Sequence, residues 1–413
     1  MTGVRCPRGA PFPWAFGAAL ADQALVSGCA FLLSILLLRG AGPEGYGVFV
    51  LSWAAVTFLS ALHQALVIAP VLTRLPKKSV EEGARMEGAY VVVHLGFVLL
   101  AGVALGTAAG FLGGDAAELA FPLAAAGAAF LAQDGARRML FARARAVRAL
   151  AVDALAYGGQ VAAAGLLGGA GAARPAAVLW VTAASFGGAA VWALALLRPV
   201  VGGGRDAAAA LRENWSFSRW MLATAAAQWF SGTLFLVVAG SVLGTAAAGV
   251  VRAAQNLVGA THVIFLALEN HLPVRAAAIL AREGRRAMLS YVGRVARRVG
   301  SVVVLYLAAV GAAPSFWMEL AYGPDLASHG HVLAWFAALY GLVFAGTLLR
   351  FVARTLEETA LCFRGSLLAG AAGAAAVFPL AGRWGVTGVL VALTLAQAAA
   401  AASLAAGIWK ALR

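Results

Sequence analysis

Long apolar runs, separated by short clusters of charged and turn-forming residues, follow one another along the whole chain. A helix needs about 20 mainly apolar residues to cross a bilayer. The chain contains twelve such runs. The fourth, fifth and eleventh are short or rich in Ala and Gly, so the predicted number of membrane-spanning helices is about twelve. The predicted spans are 14–38, 48–72, 89–112, 119–136, 151–168, 176–197, 220–241, 246–270, 299–317, 331–350, 366–381 and 386–409.

Composition places this helical body in lipid. Hydrophobic residues make up 62% of the 413 positions and charged residues 12%. A soluble domain is nearer half apolar and a quarter charged, so a water-soluble fold of this length could not hide the apolar surface. The first run is longer than the apolar core of a signal peptide and is followed by Arg39 and a Gly-Pro turn. It is therefore predicted to be retained as a span.

Positive charges are distributed unevenly between alternate loops. One set of loops, with the two chain ends, carries 27 of the 31 Lys and Arg residues, and the other set carries only Arg39, Arg174 and Arg383. By the positive-inside rule, this asymmetry places both termini in the cytoplasm and requires an even number of spans. We expect a multi-pass protein of the plasma (inner) membrane. The remaining basic residue, Arg252, is the only Lys or Arg in the interior of a predicted span rather than at its end.

The basic loops have two interpretations. They set the orientation of the chain and contact anionic lipid, or they include a specific partner site. The segment 137–148 (RRMLFARARAVR) resembles a basic amphipathic stretch at the inner interface. A net charge of +14 would suggest nucleic-acid binding in a soluble domain. Here the charges are scattered between apolar runs, so we expect no nucleic-acid partner.

The chain contains an internal repeat. The junction between the first two spans reads GPEGYG at 42–47, and the junction between the seventh and eighth reads GTAAAG at 244–249. A proline, Pro70 or Pro273, follows 23 or 24 residues after each motif. Each half also has a long basic loop, at 73–88 and 271–298. The repeat predicts two six-helix lobes, residues 1–200 and 201–413, with a substrate site between them.

Polar residues within the predicted spans are candidates for that site, because polar groups in lipid usually face the bundle interior or a water-filled cavity. In the eighth span Arg252, Gln255, Gly259, His262 and Glu269 recur at helical spacing, on one face. The first, second and seventh spans add further polar residues, namely Asp22, Gln23, Ser27, Ser60, His63, Gln64, Thr224, Gln228 and Ser231. These stripes predict a hydrophilic cavity lined by spans 1, 2, 7 and 8. Alternatively, they form hydrogen bonds that hold the helices together.

Individual residues suggest roles within such a cavity. Arg252 suits a phosphate or carboxylate, because guanidinium stays charged and donates two parallel hydrogen bonds. His63 and His262 could carry protons, or serve only in packing. Asp22 and Glu269 are candidates for ion coupling, although Asp22 could instead pair with a basic residue or lie at the inner interface. No Walker A, HExxH or GxSxG pattern and no Rossmann fingerprint following a strand occurs, so no enzyme activity, cofactor or metal is indicated.

Several motifs, in chain order, resemble those of polysaccharide flippases in the multidrug/oligosaccharidyl-lipid/polysaccharide (MOP) exporter superfamily. They are DQALVSG at 22–28, the apolar run 31–38, RGAGPEGYG at 39–47, LGTAAAGVVRAAQ at 243–255, YGPD at 322–325 and RWGVTG at 383–388. The resemblance covers essentially the whole chain. One departure is Val250-Val251, where that family often has a Tyr after the glycine.

The resemblance implies an all-α, MATE-like fold with two six-helix lobes around a central cavity. It also implies alternating access, flipping a polyprenyl-pyrophosphate-linked oligosaccharide from the inner to the outer leaflet for lipopolysaccharide or another surface polysaccharide. Arg252 would contact the pyrophosphate. Gln and His side chains would contact sugar hydroxyls, namely Gln23, Gln64, Gln228, Gln255, His63 and His262. A polysaccharide polymerase and glycosyltransferases are the expected protein partners.

Two other functions compete with this one. A cation-coupled multidrug exporter of the same superfamily would favour acidic cavity residues. A non-transporting membrane scaffold of envelope assembly would need no cavity chemistry. The stripes carry one Arg and two His against Asp22 and Glu269, which favours an anionic substrate.

Overall fold

A computed structural model describes residues 12–74, 79–143 and 145–412, which are helical apart from short turns and contain no strand. Two π-helical turns span Gln64–Ile68 and Ala154–Gly158. A 3₁₀ helix spans Pro324–His329. The α-helices are α1 Phe12–His63, α2 Ala69–Arg74, α3 Val80–Leu112, α4 Gly114–Glu118, α5 Ala120–Ala142, α6 Ala146–Asp153, α7 Gly159–Gly169, α8 Pro175–Leu197, α9 Gly204–Leu243, α10 Thr245–Val258, α11 Thr261–Ala312, α12 Pro314–Tyr322, α13 Gly330–Thr355 and α14 Thr359–Leu412.

All twelve predicted spans are mainly helical, with short breaks at 259–260 in the eighth and at 313 in the ninth. Among the described residues, eight helical stretches are long and apolar enough to cross a membrane. Two of these, Ala21–Thr73 and Ala360–Leu412, each contain two predicted spans. The two remaining predicted spans correspond to α5 and to α10 with the first part of α11. The chain is therefore an all-α, multi-pass membrane protein, as predicted. The cytoplasmic position of its termini stays a prediction.

Glycines with left-handed backbone angles mark the junctions inside the longest helices. Gly42 has φ 68°, Gly284 has φ 84° and Gly385 has φ 57°. Glycine adopts positive φ without the steric cost that a Cβ imposes. At the first junction Pro43 follows, and proline suits the first turn of the next helix because that turn leaves its N–H groups unbonded.

The prediction of two long basic loops is wrong, because both segments contain helix. Residues 271–298 belong to α11, which is interrupted only at Gly284. In the other predicted loop, 73–88, residues 80–88 belong to helix α3, which begins at Val80. Ser79 and Glu82 form a reciprocal capping box at its start, satisfying two otherwise unpaired N–H groups. A charged segment ends a membrane span because charge is excluded from lipid. It does not end the helix, because water solvates the charged side chains of a helix.

The described chain forms two compact units. Unit 1 comprises residues 12–42 and 52–229, and unit 2 comprises residues 43–51 and 230–412. The division into functional lobes 1–200 and 201–413 stays a prediction.

Small side chains allow the helices of unit 1 to pack closely around one aromatic group. Phe186 of α8 is 1% exposed and packs edge-on against Tyr157, with ring centroids 4.8 Å apart. Alanines of α5, α6 and α8 surround it, including Ala149 and Ala189. Such interfaces are typical of membrane helices, where van der Waals contact replaces the hydrophobic driving force.

In unit 2 the two repeated glycine motifs lie against each other. A Cβ on Gly249 would overlap the carbonyl oxygen of Pro43, and a Cβ on Gly47 would overlap the carbonyl oxygen of Thr245. The contact is reciprocal, because each motif places its last glycine against the start of the other. Next to this crossing, Asn256 donates a hydrogen bond of 2.9 Å to the Tyr46 hydroxyl.

Tyrosine hydroxyls attach the rest of unit 2 to α10. Tyr322, which belongs to the YGPD motif, is 2% exposed and donates to the carbonyl oxygen of Ala253 at 3.0 Å. Tyr306 donates to the carbonyl oxygen of Leu257 at 2.5 Å. These bonds hold α10, which carries Arg252, in a defined position.

Candidate functional site

Arg252 lies on an exposed face of α10, with its positive charge uncompensated. Its Nη1 donates to Oε1 of Gln255, one helical turn further on, at 3.0 Å. No carboxylate in the described ranges lies within ion-pair distance of its guanidinium. The partner amide orients the guanidinium without neutralising it, so the charge remains available to an anion.

His262 and aromatic residues continue this face. α10 ends at Val258 and α11 begins at Thr261, so the predicted eighth span is not one continuous helix. His262 lies in the first turn of α11, with its ring 5.5 Å from that of Tyr340 and nearly perpendicular to it. The Gln255 side chain lies near the Tyr340 hydroxyl. The structure thus brings together Arg252, Gln255 and His262, and it adds Tyr340, which sequence reasoning missed.

Glu269, the last polar residue of the predicted stripe, has a different environment. Its carboxylate accepts a hydrogen bond of 2.9 Å from Arg354 of α13, and both side chains are about half exposed. Its predicted role in ion coupling stays a prediction.

In unit 1 the predicted site residues Asp22, His63 and Gln64 belong to a buried polar network. His63 is fully buried, and its Nε2 lies 2.8 Å from Nδ1 of His94. The Gln64 side chain lies against Arg138 and Asp134, with its amide nitrogen 3.5 Å from Oδ2 of Asp134. Arg138 in turn donates to Asp134 at 2.9 Å. These contacts match the alternative of helix-to-helix hydrogen bonding.

Arg137 is the centre of that network. It forms ion pairs with Asp22 of α1 and with Asp153 at the end of α6, and its Nη1 lies 3.8 Å from Asp134. Gln133 donates to the second oxygen of Asp153 at 2.6 Å. Asp22 is 2% exposed and Asp153 is not exposed, so one arginine compensates carboxylates from three helices.

The interpretation of 137–148 as an amphipathic interfacial stretch is therefore wrong for its first half. α5 continues to Ala142, and Arg137 faces the interior of unit 1. Arg143 pairs with Glu87 and donates to the Leu197 carbonyl, at the end of α8, at 2.6 Å. The spacing of Asp134 and Arg137, three residues apart on one helix, was the sequence signal that could have revealed the network.

The remaining predicted site residues are Gln23 and Gln228, both in unit 1. Gln23 donates to the Ser27 hydroxyl, one turn along α1, at 3.2 Å. Gln228 is exposed on α9. Their predicted contact with substrate stays a prediction. In the described part of the chain, no group of three or more His, Cys, Asp or Glu side chains is arranged to hold a metal ion.

Solved structures match this chain over nearly its whole length. An inward-facing multidrug resistance MATE family transporter of the MOP superfamily matches with a TM-score of 0.71 at 14% identity, covering 96% of this chain and 98% of that one. The chain has the MATE transporter fold. The lipid II flippase MurJ, in an inward closed conformation, matches with a TM-score of 0.66 at 9% identity, covering 95% and 87%.

A MOP superfamily transporter from Pyrococcus furiosus matches with a TM-score of 0.61 at 12% identity, covering 96% of this chain and 94% of that one. No protein-family model and no curated protein sequence matches this chain. The predicted MATE-like fold class is therefore confirmed by structure. A shared fold hosts different substrates, so the substrate has to be argued from side chains.

Proposed function

We propose that this chain is a MOP-type membrane transporter that flips a polyprenyl-pyrophosphate-linked oligosaccharide from the inner to the outer leaflet by alternating access. The product would serve surface polysaccharide biosynthesis, with a polymerase and glycosyltransferases as partners. The observation that carries the proposal is the exposed guanidinium of Arg252, which has no carboxylate partner in the described chain.

The neighbours of Arg252 suit the two parts of such a headgroup. A guanidinium binds phosphate oxygens through parallel, charge-assisted hydrogen bonds. Gln255 offers amide groups to sugar hydroxyls, and the rings of His262 and Tyr340 offer apolar faces beside polar atoms. The lipid tail needs no protein cavity, because it can remain in the bilayer.

The carboxylates of unit 1 argue against a cation-coupled multidrug exporter. Such a pump needs acidic groups that are free to take a cation. The three buried carboxylates of the described chain, Asp22, Asp134 and Asp153, all lie beside Arg137. An ion-coupling role for Asp22 would therefore require Arg137 to move away first.

Replacing Arg252 with alanine tests the proposal. Charge-assisted hydrogen bonds contribute about 1.5–3 kcal/mol, so we expect the flipping rate to fall at least about tenfold. The assay reconstitutes the protein in vesicles with a labelled polyprenyl-pyrophosphate saccharide and scores its exposure in each leaflet. The flipping rate of Arg252→Lys should lie between those of the wild type and Arg252→Ala, because lysine keeps the charge and loses the paired donors.

The control is Arg297→Ala, which removes an exposed arginine from α11. It should flip at the wild-type rate. Wild-type flipping by Arg252→Ala would refute the role of Arg252. Saccharide exposure that does not depend on the protein would favour the scaffold alternative. Export of a cationic dye without any lipid flipping would favour the multidrug alternative.

A further inference from the structure

A polar concavity surrounds the bend of α11 at Gly284, and it shares no residue with the Arg252 face. Its volume is about 550 Å³, within the range of about 300–1,000 Å³ typical of small-ligand pockets. The residues that matter for its chemistry are Arg275, Arg282, Glu283, Ser290, Tyr291 and Arg294.

The sequence builds this concavity through helical spacing on both sides of one glycine. Arg275 and Arg282 are seven residues apart, so they lie on one face of the helix before the bend. Ser290, Tyr291 and Arg294 likewise share a face of the helix after it. Gly284, with φ 84°, turns the chain so that both faces line the same space.

Neighbouring side chains hold two of the arginines in place. The Arg275 guanidinium lies over the Tyr291 ring, 5.8 Å from its centre, and so connects the two arms of the bend. Nη1 of Arg294 donates to the Ser290 hydroxyl at 2.9 Å. Groups that are already oriented lose less conformational entropy when a ligand binds.

The charge in this pocket is not neutralised. Three arginines line it against one carboxylate, Glu283. None of the arginines has a carboxylate within ion-pair distance in the ranges that the structure describes, Glu283 included. Guanidinium groups from two directions match the several oxygens of a phosphate better than they match a single planar carboxylate.

We propose that the Gly284 bend of α11 is a binding site for a phosphate or pyrophosphate group. The group belongs to the headgroup of an anionic lipid or to a soluble phosphate compound, which share this chemistry. The site lies on a segment whose basic residues the positive-inside rule assigns to the cytoplasmic side. It is independent of the transport proposal, because it rests on different residues.

The test compares two triple variants that remove equal charge from exposed positions of α11. The pocket variant is Arg275→Gln, Arg282→Gln and Arg294→Gln. The control is Arg286→Gln, Arg297→Gln and Arg298→Gln, none of which lines the pocket. Binding of inorganic pyrophosphate to purified full-length protein is measured by calorimetry at about 0.15 M salt, which screens diffuse attraction. Retention of phosphatidylglycerol against phosphatidylcholine is measured by native mass spectrometry.

We expect the pocket variant to weaken at least one of the two interactions by about tenfold or more, and the control variant to leave both within about twofold. A loss confined to pyrophosphate identifies a soluble ligand, and a loss confined to phosphatidylglycerol identifies a lipid headgroup. Equal losses in both variants, or no loss in either, overturn the proposal. If the pocket triple variant does not fold, Arg282→Gln alone is measured against Arg286→Gln by the same criteria.

Discussion

Arg137→Ala is expected to destabilise the protein by about 3–5 kcal/mol, the usual cost of removing one partner from a buried ion pair. The reason is that Asp22 and Asp153, 2% and 0% exposed, would keep their negative charges without a cation. Arg138 does not replace it, because in the structure its ion pair is with Asp134. The measurement is the thermal unfolding midpoint of the purified protein in detergent, followed by tryptophan fluorescence.

The control for this prediction is Arg148→Ala. Arg148 belongs to the same basic segment of the sequence, but its side chain is exposed. Its removal should leave the unfolding midpoint unchanged, since surface charges contribute about 0–1 kcal/mol. The two variants therefore distinguish Arg137, which stabilises the fold, from Arg148, an exposed arginine of the same basic segment.

A triple variant tests whether charge is the cause of the instability. Replacing a whole buried ionic group with uncharged side chains is often neutral, whereas removing one member is costly. Arg137→Met combined with Asp22→Asn and Asp153→Asn should thus unfold closer to wild type than Arg137→Ala does. Wild-type stability of Arg137→Ala would mean that the carboxylates do not depend on this arginine.

Gly249→Ala is expected to have the second large effect, a loss of at least about 1–3 kcal/mol typical of overpacked interiors. A Cβ at this position would overlap the backbone carbonyl of Pro43. A flexible side chain could rotate away, but a backbone carbonyl moves only if the helices separate. The readout is the unfolding midpoint in detergent, with Gly341→Ala as control because a Cβ at that position would meet no atom within 4 Å.

The reciprocal contact makes a sharper prediction for the pair. Gly47→Ala should be destabilising as well, because its Cβ would overlap the carbonyl of Thr245. Once one alanine has separated the helices, the second should cost less, so the double variant should lose less stability than the two losses combined. Strictly additive losses of stability would show that Gly47 and Gly249 do not act through the same helix contact.

The two compact units use polar residues in opposite ways. In unit 1 Asp22, the acidic residue of the predicted stripe, forms an ion pair with Arg137, as does the buried Asp153. In unit 2 Arg252 keeps its charge, because its partner among the described residues is the Gln255 amide. This asymmetry is the reason for assigning anion binding to unit 2 and a structural role to the buried carboxylates of unit 1.

Most of the secondary structure was predictable from the sequence, because lipid leaves little choice. Backbone N–H and C=O groups in a bilayer must be satisfied within the segment, so each long apolar run must be helical. Gly42 and Gly385 were readable as junctions because each lies between two apolar runs. The end of α10 at Val258 could not be predicted from the sequence, because the pattern of polar and apolar residues continues past it.

The apolar pattern and the placement of charge by themselves determined that this is a helical membrane protein, and they identified Arg252 as an exceptional cation. Only the tertiary structure decided which charged residues are compensated. Arg137 meets Asp22 across 115 residues of sequence, and helix packing, not local pattern, sets such contacts. Likewise, the sequence predicted a loop at 271–298 because charge excludes a segment from lipid, whereas backbone hydrogen bonding keeps that segment helical in water.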